Sequence, residues 1–485
     1  MDNTKVTAVE LKAALAEDID RLAEKVAAAM NAAKAGHIIA DSEEPVRDAH
    51  AEFRQQAFEQ ALRLLQDKQE AFSPRAHGLR NKGKQATTHQ TINGRVRVSR
   101  TVYWSAEAGT TIPMDQWLGI AEHRFSPGVR EMCCRESLHC SFEVASDNLC
   151  RTAQVELSGR TIRTLVENQG RAALSAQQTG ALRPGFTAND CTDQTLISGT
   201  DGVMVPLVTE QQKRKRRQTE TLKRAKQGRR STARVGRPRK GSEGDYKEFK
   251  LVSFYDPDKS HCHVVGTAGN HEALGRIMRR EAGRLRLASA KVKYAVTDGA
   301  EWIARQYRVQ LPMLDEHILD YYHLQEHVVD ASQVLYGEGT PKARAWCEEM
   351  MGVVWEQGSL VLLHRLDPYL RRHQGEKREA LELLRKYVGK RVSMTDYPAF
   401  RKRGYDCGSG PTESLCGTLT DRLKGAGMRW DKDNAESVMA LASLYPSAAL
   451  LRSAATKRVK VSSQLGKIGS LFSNELLFTT KARIP

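Results

Sequence analysis

Three acidic residues stand where metal chemistry would need carboxylates, and the two aspartates among them adjoin apolar strands, where an acid is costly unless it is paired or binds a metal ion. Asp201 lies inside one apolar segment, Asp298 ends another, and Glu413 falls in the first turn of a late helix. A glycine follows each aspartate and leaves room for a ligand or a tight turn. An Asp-Gly pair alone is more typical of a plain turn. The three acids together predict ligands for two Mg²⁺ ions about 3.5–4 Å apart, with Mn²⁺ as a substitute.

The elements that must bring these acids together lie mainly between residues 195 and 325, where the apolar pattern becomes that of strands. Three successive strands are followed by a helix, a strand, a second helix and a last short strand. This order is typical of an RNase-H-like fold with a mixed five-stranded sheet, and it sets Asp201 and Asp298 beside central strands. The predicted strands are 195–208, 249–255, 261–267, 291–297 and 318–322.

The third acid lies on a predicted helix, 411–424, that follows a glycine-rich loop and stops at Gly425. One face of this helix is a leucine stripe for the core. Another face carries an acid, a glycine, a hydroxyl and a cation, which suits a nucleic-acid backbone lying close to the helix. The two faces consist of Leu415, Leu419 and Leu423, and of Glu413, Gly417, Thr420 and Lys424.

Arg429 and Trp430 follow this helix closely in the chain. An arginine beside an aromatic residue suits a phosphate contact with a base stacked on the indole, which assigns both residues to DNA binding. The alternative is that Trp430 packs against the end of the helix. Both interpretations stay open from the sequence.

Positive charge is concentrated in one tract. Residues 211–240 hold 14 Lys or Arg and one acid, Glu220, and so supply +13 of the net charge of +17. This density predicts a flexible arm against DNA phosphates, with a solvated spacer as the alternative. Residues 236–240 resemble an AT-hook core, although Val235 replaces the usual preceding arginine. The residues of the arm assigned to DNA are Lys213, Arg214, Lys215, Arg216, Arg217, Arg229, Arg230, Arg237, Arg239 and Lys240.

The first 75 residues predict two helices in a hairpin, the second capped by Ser42. The hairpin could be a dimerisation arm or a small domain of its own. A polar linker is expected over 73–91. The Asn93-Gly94 pair then predicts the turn of a β-hairpin.

Residues 141–165 resemble a helix-turn-helix whose second helix is capped by Ser158. In such a motif, the first turns of the second helix meet the major groove of DNA. Arg160 and Arg163 would lie there. Simple packing of two helices is the alternative.

Four motifs in the second half of the chain are more specific in combination. They are Thr-Asp-Gly-Ala-Glu-Trp-Ile at 297–303, Leu-Asp-Tyr-Tyr-His-Leu-Gln-Glu-His at 319–327, Gly-Ser-Gly-Pro-Thr-Glu-Ser at 408–414 and Leu-Lys-Gly-Ala-Gly-Met-Arg-Trp at 423–430. Together they resemble the ISKra-type insertion-sequence transposases of the Mutator-like DDE group, over roughly residues 90–450. The resemblance implies an RNase-H fold interrupted by a helical insertion, with the DDE roles on Asp201, Asp298 and Glu413.

The same resemblance carries the accessory Asp-x-x-His signature of this group to Asp320 and His323. Their spacing of three suits a carboxylate that orients an imidazole. Asp298 instead ends an apolar strand whose expected place is beside the first strand, where its carboxylate could reach the same metal as Asp201. Asp298 is therefore the predicted second catalytic acid, and Asp320 is predicted to support it. Asp315, in a polar turn, is expected to be solvated.

The implied activity is binding of terminal inverted repeats, metal-dependent cleavage at the ends of the element, and strand transfer into double-stranded target DNA. Synapsis of two ends implies a homodimer or a larger homo-oligomer. Members of the family often carry a cysteine cluster suggestive of zinc, but the matching stretch 103–109 has no cysteine, so no zinc is expected. Cys133, Cys134 and Cys140 lack metal-ligand spacing and are assigned no metal.

Two other function classes stay open: a catalytically inactive DNA-binding regulator derived from a transposase, and a zinc metalloprotease of the H-x-x-E-H type at 323–327. The sequence has no apolar run of about 18 residues, so no membrane span is expected. Nine scattered cysteines suit a reducing compartment. A cytoplasmic, nucleoid-associated bacterial protein is expected.

The sequence thus predicts a multi-domain α+β/α protein in which an all-α insertion interrupts an RNase-H-like core, with helical and β-hairpin DNA-binding regions before it. The predicted domains are 1–75 (helical hairpin), 76–185 (β-hairpin and helix-turn-helix), 190–325 (core, with the basic arm 211–240), 326–403 (insertion), 404–450 (core, with the Glu413 helix) and 451–485 (tail).

Overall fold

A computed structural model describes residues 5–69, 78–228 and 240–445. These residues fall into two compact units, divided between Gln169 and Gly170. The predictions for Arg229, Arg230, Arg237 and Arg239, and for the tail 451–485, lie outside the described residues.

The first unit opens with three helices in place of the two expected. A capping box between Thr7 and Glu10 starts the first helix, and Leu15 separates it from the second. The third helix begins four residues before Ser42, whose hydroxyl donates to the Ile38 carbonyl, so Ser42 is not its cap. The helices are α1 (Ala8–Ala14), α2 (Ala16–Ala32) and α3 (Ile38–Lys68).

A three-stranded antiparallel sheet follows: β1 (Arg80–Thr91), β2 (Gly94–Ser105) and β3 (Gly109–Thr111). Thr91 pairs with Gly94, so the predicted hairpin is present, but its two turn residues are Ile92 and Asn93, and Gly94 begins β2 with a φ of +113°. The expected linker over 73–91 is wrong for Arg80–Thr91. Those polar residues form a strand because ten of the twelve pair with β2, with a slip in register between Asn81 and Lys84.

The rest of the first unit is helical. Ser141 and Ser158 each accept a backbone N–H three residues on, at 3.2 and 3.3 Å, as N-caps do. Arg160 and Arg163 are exposed at the start of the last helix, and Arg163 also binds Glu167 at 2.8 Å. The helices are α4 (Pro113–Trp117), α5 (Pro127–Ser137), α6 (Phe142–Ala153) and α7 (Gly159–Thr179), which continues past the unit boundary.

The second unit is built on a mixed five-stranded sheet of order β6-β5-β4-β7-β8. The first three strands along the chain pair antiparallel, and β7 and β8 are added in parallel on the other side of β4. The number of strands and their order along the chain, with a helix before each of the last two, are as predicted. The strands are β4 (Thr195–Pro206), β5 (Tyr246–Tyr255), β6 (Cys262–Thr267), β7 (Val292–Thr297) and β8 (Glu316–Leu319).

Helices cover both faces of this sheet. On one face, Leu196, Phe254 and Ala295 form a core with α9 (His271–Arg284) and α10 (Glu301–Gln310). On the other, Ile197 and Val296 form a core with a helical insertion between β8 and the Glu413 helix. The insertion comprises α11 (Tyr321–Tyr336), α12 (Pro341–Gln357), α13 (Ser359–Arg372), α14 (Glu376–Gly389) and α15 (Tyr397–Lys402).

The chain returns to the sheet through α16 (Gly410–Lys424) and then α17 (Lys432–Ala442). Glu436 on α17 accepts from the Thr267 hydroxyl at 3.0 Å and the Ala268 N–H at 2.8 Å, which fixes this helix at the end of β6. Among the described residues, no helix is both long and apolar enough to cross a membrane.

The first half of the basic tract is a helix, α8 (Glu210–Lys226), and not the flexible arm expected from its charge. Thr209 caps it, with its side chain and that of Gln212 satisfying each other's backbone N–H groups. Glu210 lies 2.8 Å from Arg217 and 3.5 Å from Arg214, which offsets part of the repulsion between the cations.

Candidate active site

The register of the central strands places Asp201 and Asp298 side by side. β4 and β7 are parallel, pairing Thr195 with Val292 and Ser198 with Ala295. The same offset of 97 positions, continued three residues past the last pair, brings Asp201 level with Asp298, which directly follows β7. Because side chains alternate along strands, two residues in register point to the same face. Both aspartates therefore lie on the face covered by α16 and the helical insertion.

Glu413 reaches this face because α16 packs directly on β4. A Cβ added at Gly199 would lie 1.8 Å from the hydroxyl oxygen of Thr412, so only glycine permits this approach. The Thr412 hydroxyl also lies 3.0 Å from that of Ser253 on β5. The contact fixes the first turn of α16, and Glu413 is the next residue along it.

One turn further on, the helix contacts the first acid directly. The Cys416 thiol donates to Asp201 Oδ2 at 3.0 Å, and the N–H of Gly202 donates to Oδ1 at 2.6 Å. Burial raises the pKa of this thiol far above its ordinary value, and the Asp201 charge adds to the shift. Cys416 therefore stays a neutral donor that orients Asp201, a role that the sequence had not suggested.

Asp298 is half-buried at the end of β7 and accepts one backbone N–H, from Ala300 at 2.9 Å. Burial raises the pKa of its carboxyl, and the negative charge of Asp201 raises it further. Both causes disfavour the ionised acid when no cation is present. The pair thus has the electrostatic character expected of a site for a cation.

Two residues of the helical insertion hold the loop that carries Asp298. Arg391 donates to the Gly299 carbonyl at 3.0 Å and stacks on the Tyr387 ring at 3.9 Å. The Tyr387 hydroxyl donates to the Asp298 carbonyl at 3.4 Å. Gly299 has φ of +73°, and an added Cβ there would lie 2.4 Å from Leu319. No spacing in the sequence links 387–391 to Asp298, so pattern analysis could not find these supports.

Glu413 is the most exposed of the three acids, with 54 % of its side chain accessible. Its Oε1 accepts from the Ser409 hydroxyl at 2.6 Å and lies 3.8 Å from His323 Nε2. Burial alone would lower the pKa of His323. The charges of Asp320 and Glu326 outweigh that effect, so its pKa is raised.

Asp320 is fully buried, and its carboxylate is occupied by backbone groups. Oδ1 accepts the N–H of Tyr322 at 2.6 Å and that of His323 at 3.0 Å, and Oδ2 accepts the N–H of Ser409. The expected contact with the His323 imidazole is wrong, because the carboxylate caps α11 and binds the backbone of that residue. Asp320 joins the start of α11 to the loop before α16.

The three acids offer the oxygen donors that Mg²⁺ and Mn²⁺ prefer. Their facing carboxylates and the raised pKa of Asp298 fit a cation between Asp201 and Asp298. Their ligand atoms do not form a group all within 4.8 Å of one another; in the described part of the chain only Cys191, Asp256 and His261 do. The side chains must therefore rearrange if the three acids are to share an ion.

The H-x-x-E-H segment does not form a three-ligand cluster either. His323 Nδ1 lies 3.1 Å from Glu326, and the His327 ring packs on Tyr387 at 3.7 Å. Burial lowers the pKa of His327. The two histidines therefore contact different partners, and the second packs on Tyr387 of α14.

Of the residues near α16 that the sequence assigned to nucleic acid, some are exposed and others are buried or paired within the protein. Lys424 is exposed at the end of the helix. Trp430 is 9 % exposed and pairs with Leu207 beside β4, so the structure supports the packing interpretation and not base stacking. Thr420 is also buried, with its hydroxyl on the Cys416 carbonyl. Arg429 binds Asp245 at 2.5 Å.

The cations of α8 also include residues that are paired within the protein and residues that are exposed. Lys213 binds Asp431 and the Lys240 carbonyl, and Arg217 binds Glu210. Both are partly buried. The exposed cations on the described part of the tract are Arg214, Lys215, Arg216, Lys223, Lys226 and Lys240.

Comparisons with known proteins give two findings. The model of an uncharacterised protein family, UPF0236, matches residues 32–234, a stretch that includes Asp201 but neither Asp298 nor Glu413. Among solved structures, the Drosophila P element transposase strand transfer complex is similar at 10 % identity and a TM-score of 0.24, covering 76 % of this chain and 88 % of that chain. No curated protein matches significantly.

Proposed function

We propose that this chain is a DDE transposase of an insertion sequence, with an RNase-H-like core that binds and cleaves the ends of the element and transfers them to target DNA. The observation that carries the proposal is the shared register of Asp201 and Asp298 on parallel strands, with α16 docked against the same face. The four sequence motifs that resemble ISKra-type transposases surround this face.

The residues have distinct roles in the proposal. Asp201 and Asp298 hold the metal ions between β4 and β7, and Glu413 completes the ligand set from α16. Two bound Mg²⁺ ions would activate the attacking water or 3′-hydroxyl and stabilise the leaving oxygen. Cys416 orients Asp201 through its 3.0 Å hydrogen bond. Arg391 and Tyr387 position the Asp298 loop.

Ser409 and His323 position the side chain of Glu413. The Ser409 hydroxyl holds the carboxylate at 2.6 Å, and the imidazole lies 3.8 Å from the same oxygen. The raised pKa of His323 favours its cationic form. A cationic His323 attracts the Glu413 carboxylate and, together with the Ser409 hydroxyl, keeps this side chain in one position on α16. This role replaces the orientation by Asp320 that the sequence had suggested.

The proposal assigns DNA contact to the exposed cations, which bind phosphates without reading sequence. Arg214, Lys215 and Arg216 on α8 and Lys424 on α16 belong to the same unit as the acids. Arg160 and Arg163 on α7 remain the proposed contacts to the terminal repeats. Pairing of two ends in one complex is proposed to require two or more copies of the chain.

The test uses DNA fragments that carry the two ends of the genomic element encoding this chain. Native protein with Mg²⁺ or Mn²⁺ should cut at the element boundary, and EDTA should abolish the cut. Asp201→Asn should bind the same fragments and leave them intact, whereas Asp330→Asn, at an exposed aspartate on α11, should cut normally. Binding without cleavage by native protein would instead identify a DNA-binding regulator.

A second test concerns α8. Replacing Arg214, Lys215 and Arg216 by glutamine should reduce the slope of log K against log salt by up to about 0.9 for each phosphate that is no longer neutralised. The matched control replaces Lys213 and Arg217, which bind Asp431 and Glu210. An unchanged slope in the first variant would remove α8 from the DNA interface.

A further inference from the structure

A second group of potential metal ligands lies outside the candidate active site. Cys191, Asp256 and His261 offer ligand atoms that all lie within 4.8 Å of one another. Cys191 lies between two short 3-10 turns that precede β4, whereas Asp256 and His261 enclose the turn between β5 and β6. The group therefore joins two segments that are far apart in the sequence.

Burial and hydrogen bonding fix the three side chains. Asp256 is fully buried, and Cys191 is 6 % exposed. Asp256 accepts from the Ser260 hydroxyl at 2.7 Å and from the His261 N–H at 2.9 Å, and its Oδ2 lies 2.8 Å from His261 Nδ1. Phe186 covers the imidazole at a ring distance of 5.0 Å, and 30 % of the His261 side chain remains open to solvent.

The charge around the group is strongly negative. Burial raises the pKa of the Cys191 thiol to about 12, and the carboxylates of Asp256, Asp190 and Asp258 add to the shift. The hydrogen bond from His261 to Asp256, together with the charges of the same three carboxylates, raises the pKa of His261. A divalent cation would neutralise this field, and its binding would release the thiol proton and the proton of any protonated His261.

We propose that Cys191, Asp256 and His261 bind one zinc-class ion, with the fourth position open to water. Tetrahedral zinc separates nitrogen and oxygen ligands by about 3.3 Å and a sulfur from either by about 3.5 Å. Rearrangement of well under 2 Å converts the present separations into that geometry. A thiolate beside an imidazole favours Zn²⁺ over Mg²⁺ or Ca²⁺.

The ion would link the segment before β4 to the β5–β6 turn and stabilise the folded chain, because the unfolded chain holds no such site. This site is independent of the acids of the proposed transposase. The sequence predicted no zinc because residues 103–109 lack a cysteine and Cys133, Cys134 and Cys140 lack ligand spacing. The present proposal concerns a different cysteine, Cys191.

The test is a Co²⁺ titration of the full-length, metal-stripped protein, because cobalt bound to a thiolate gives a near-ultraviolet sulfur-to-cobalt absorption band. One equivalent per chain should produce the band in the native protein, and Zn²⁺ should displace it. Cys191→Ser should lose the band. Cys262→Ser, next to His261, and Cys416→Ser, next to Asp201, are the matched controls and should retain it.

Absence of the band in native protein, its survival in Cys191→Ser, or its loss in Cys416→Ser would overturn the proposal. A companion measurement does not depend on Cys191→Ser folding. With excess Mg²⁺ present to occupy the acids of the proposed active site, Zn²⁺ should raise the melting temperature of native protein and of Asp201→Asn equally, and should leave that of His261→Gln unchanged. A Zn²⁺-dependent rise in His261→Gln equal to that of native protein would also contradict the site.

Discussion

Two aspartates follow neighbouring parallel strands, one after β7 and one after β8, and their surroundings are opposite. Asp298 is half-buried, accepts one backbone N–H and faces a second carboxylate, which raises its pKa. Asp320 has no exposed surface and accepts three backbone N–H groups. A carboxylate whose lone pairs are taken by the backbone organises the fold. A carboxylate that lies beside another acid and has lone pairs not occupied by backbone N–H groups is suited to bind a cation.

The largest expected effect separates the two residues by activity. Asp298→Asn should lower metal-dependent cleavage of element ends by about 10²–10³-fold or more, because the reacting centre loses a metal ligand. Binding of the same DNA, measured by gel shift, should persist. Near-native cleavage by Asp298→Asn together with an inactive Asp320→Asn would require the two roles to be exchanged.

The second effect separates them by stability. Asp320→Ala removes the acceptor of three buried N–H groups and should lower the free energy of unfolding by about 2–4 kcal/mol, measured by urea denaturation. Asp320→Asn should lose less, and should cleave slowly per folded molecule because the loop before α16 is loosened. If Asp298→Ala destabilises the chain more than Asp320→Ala does, the comparison fails.

A third, smaller effect concerns how Glu413 is held on the same face. Gly199→Ala places a Cβ against Thr412 and should cost about 1–3 kcal/mol while reducing cleavage, because α16 must shift from β4. Thr412→Ala in the same chain should restore part of both losses. Gly417→Ala, on the open side of α16, is the control and should be neutral or stabilising. An equal response to both glycine substitutions would argue against close docking of α16.

The smallest effect is a pH dependence in the metal-free chain. Because the folded pKa of Asp298 is raised above 3.8, its contribution to stability is present below that value and is lost as pH rises through the folded pKa. In EDTA, native protein should therefore become less stable than Asp298→Asn as the pH approaches neutrality. Mg²⁺ should reduce this difference, because it binds the native site and stabilises native protein but not Asp298→Asn. A difference that does not change with pH would show that Asp298 is not strained by Asp201.

The sequence was sufficient for the order of strands, because Asp201 lies within one apolar segment and Asp298 ends another, and both segments have the pattern of strands. It was insufficient for contacts between distant segments. Nothing in the spacing of Tyr387 and Arg391 links them to the Asp298 loop, and the docking of Thr412 on Gly199 needs the folded backbone.

Composition misled where local capping decided the structure. High charge in the basic tract suggested a flexible arm, but Thr209 and Gln212 cap a helix there. The aromatic side chain of Trp430 suggested stacking, yet its backbone pairs beside β4 and buries the ring. The polar run before Asn93 suggested a linker, and cross-strand pairing made it β1.

The central claim is that Asp201, Asp298 and Glu413 hold the same metal ions. Replacing Mg²⁺ by Fe²⁺ and adding ascorbate and peroxide generates hydroxyl radicals at the bound ion, which cut the nearby backbone. If the three acids share these ions, the cuts should be confined to three segments, around 199–202, 297–300 and 411–415, and all should be suppressed by excess Mg²⁺ and weakened in Asp201→Asn. Cuts that omit the 297–300 segment, or that persist unchanged in Asp201→Asn, would contradict the claim.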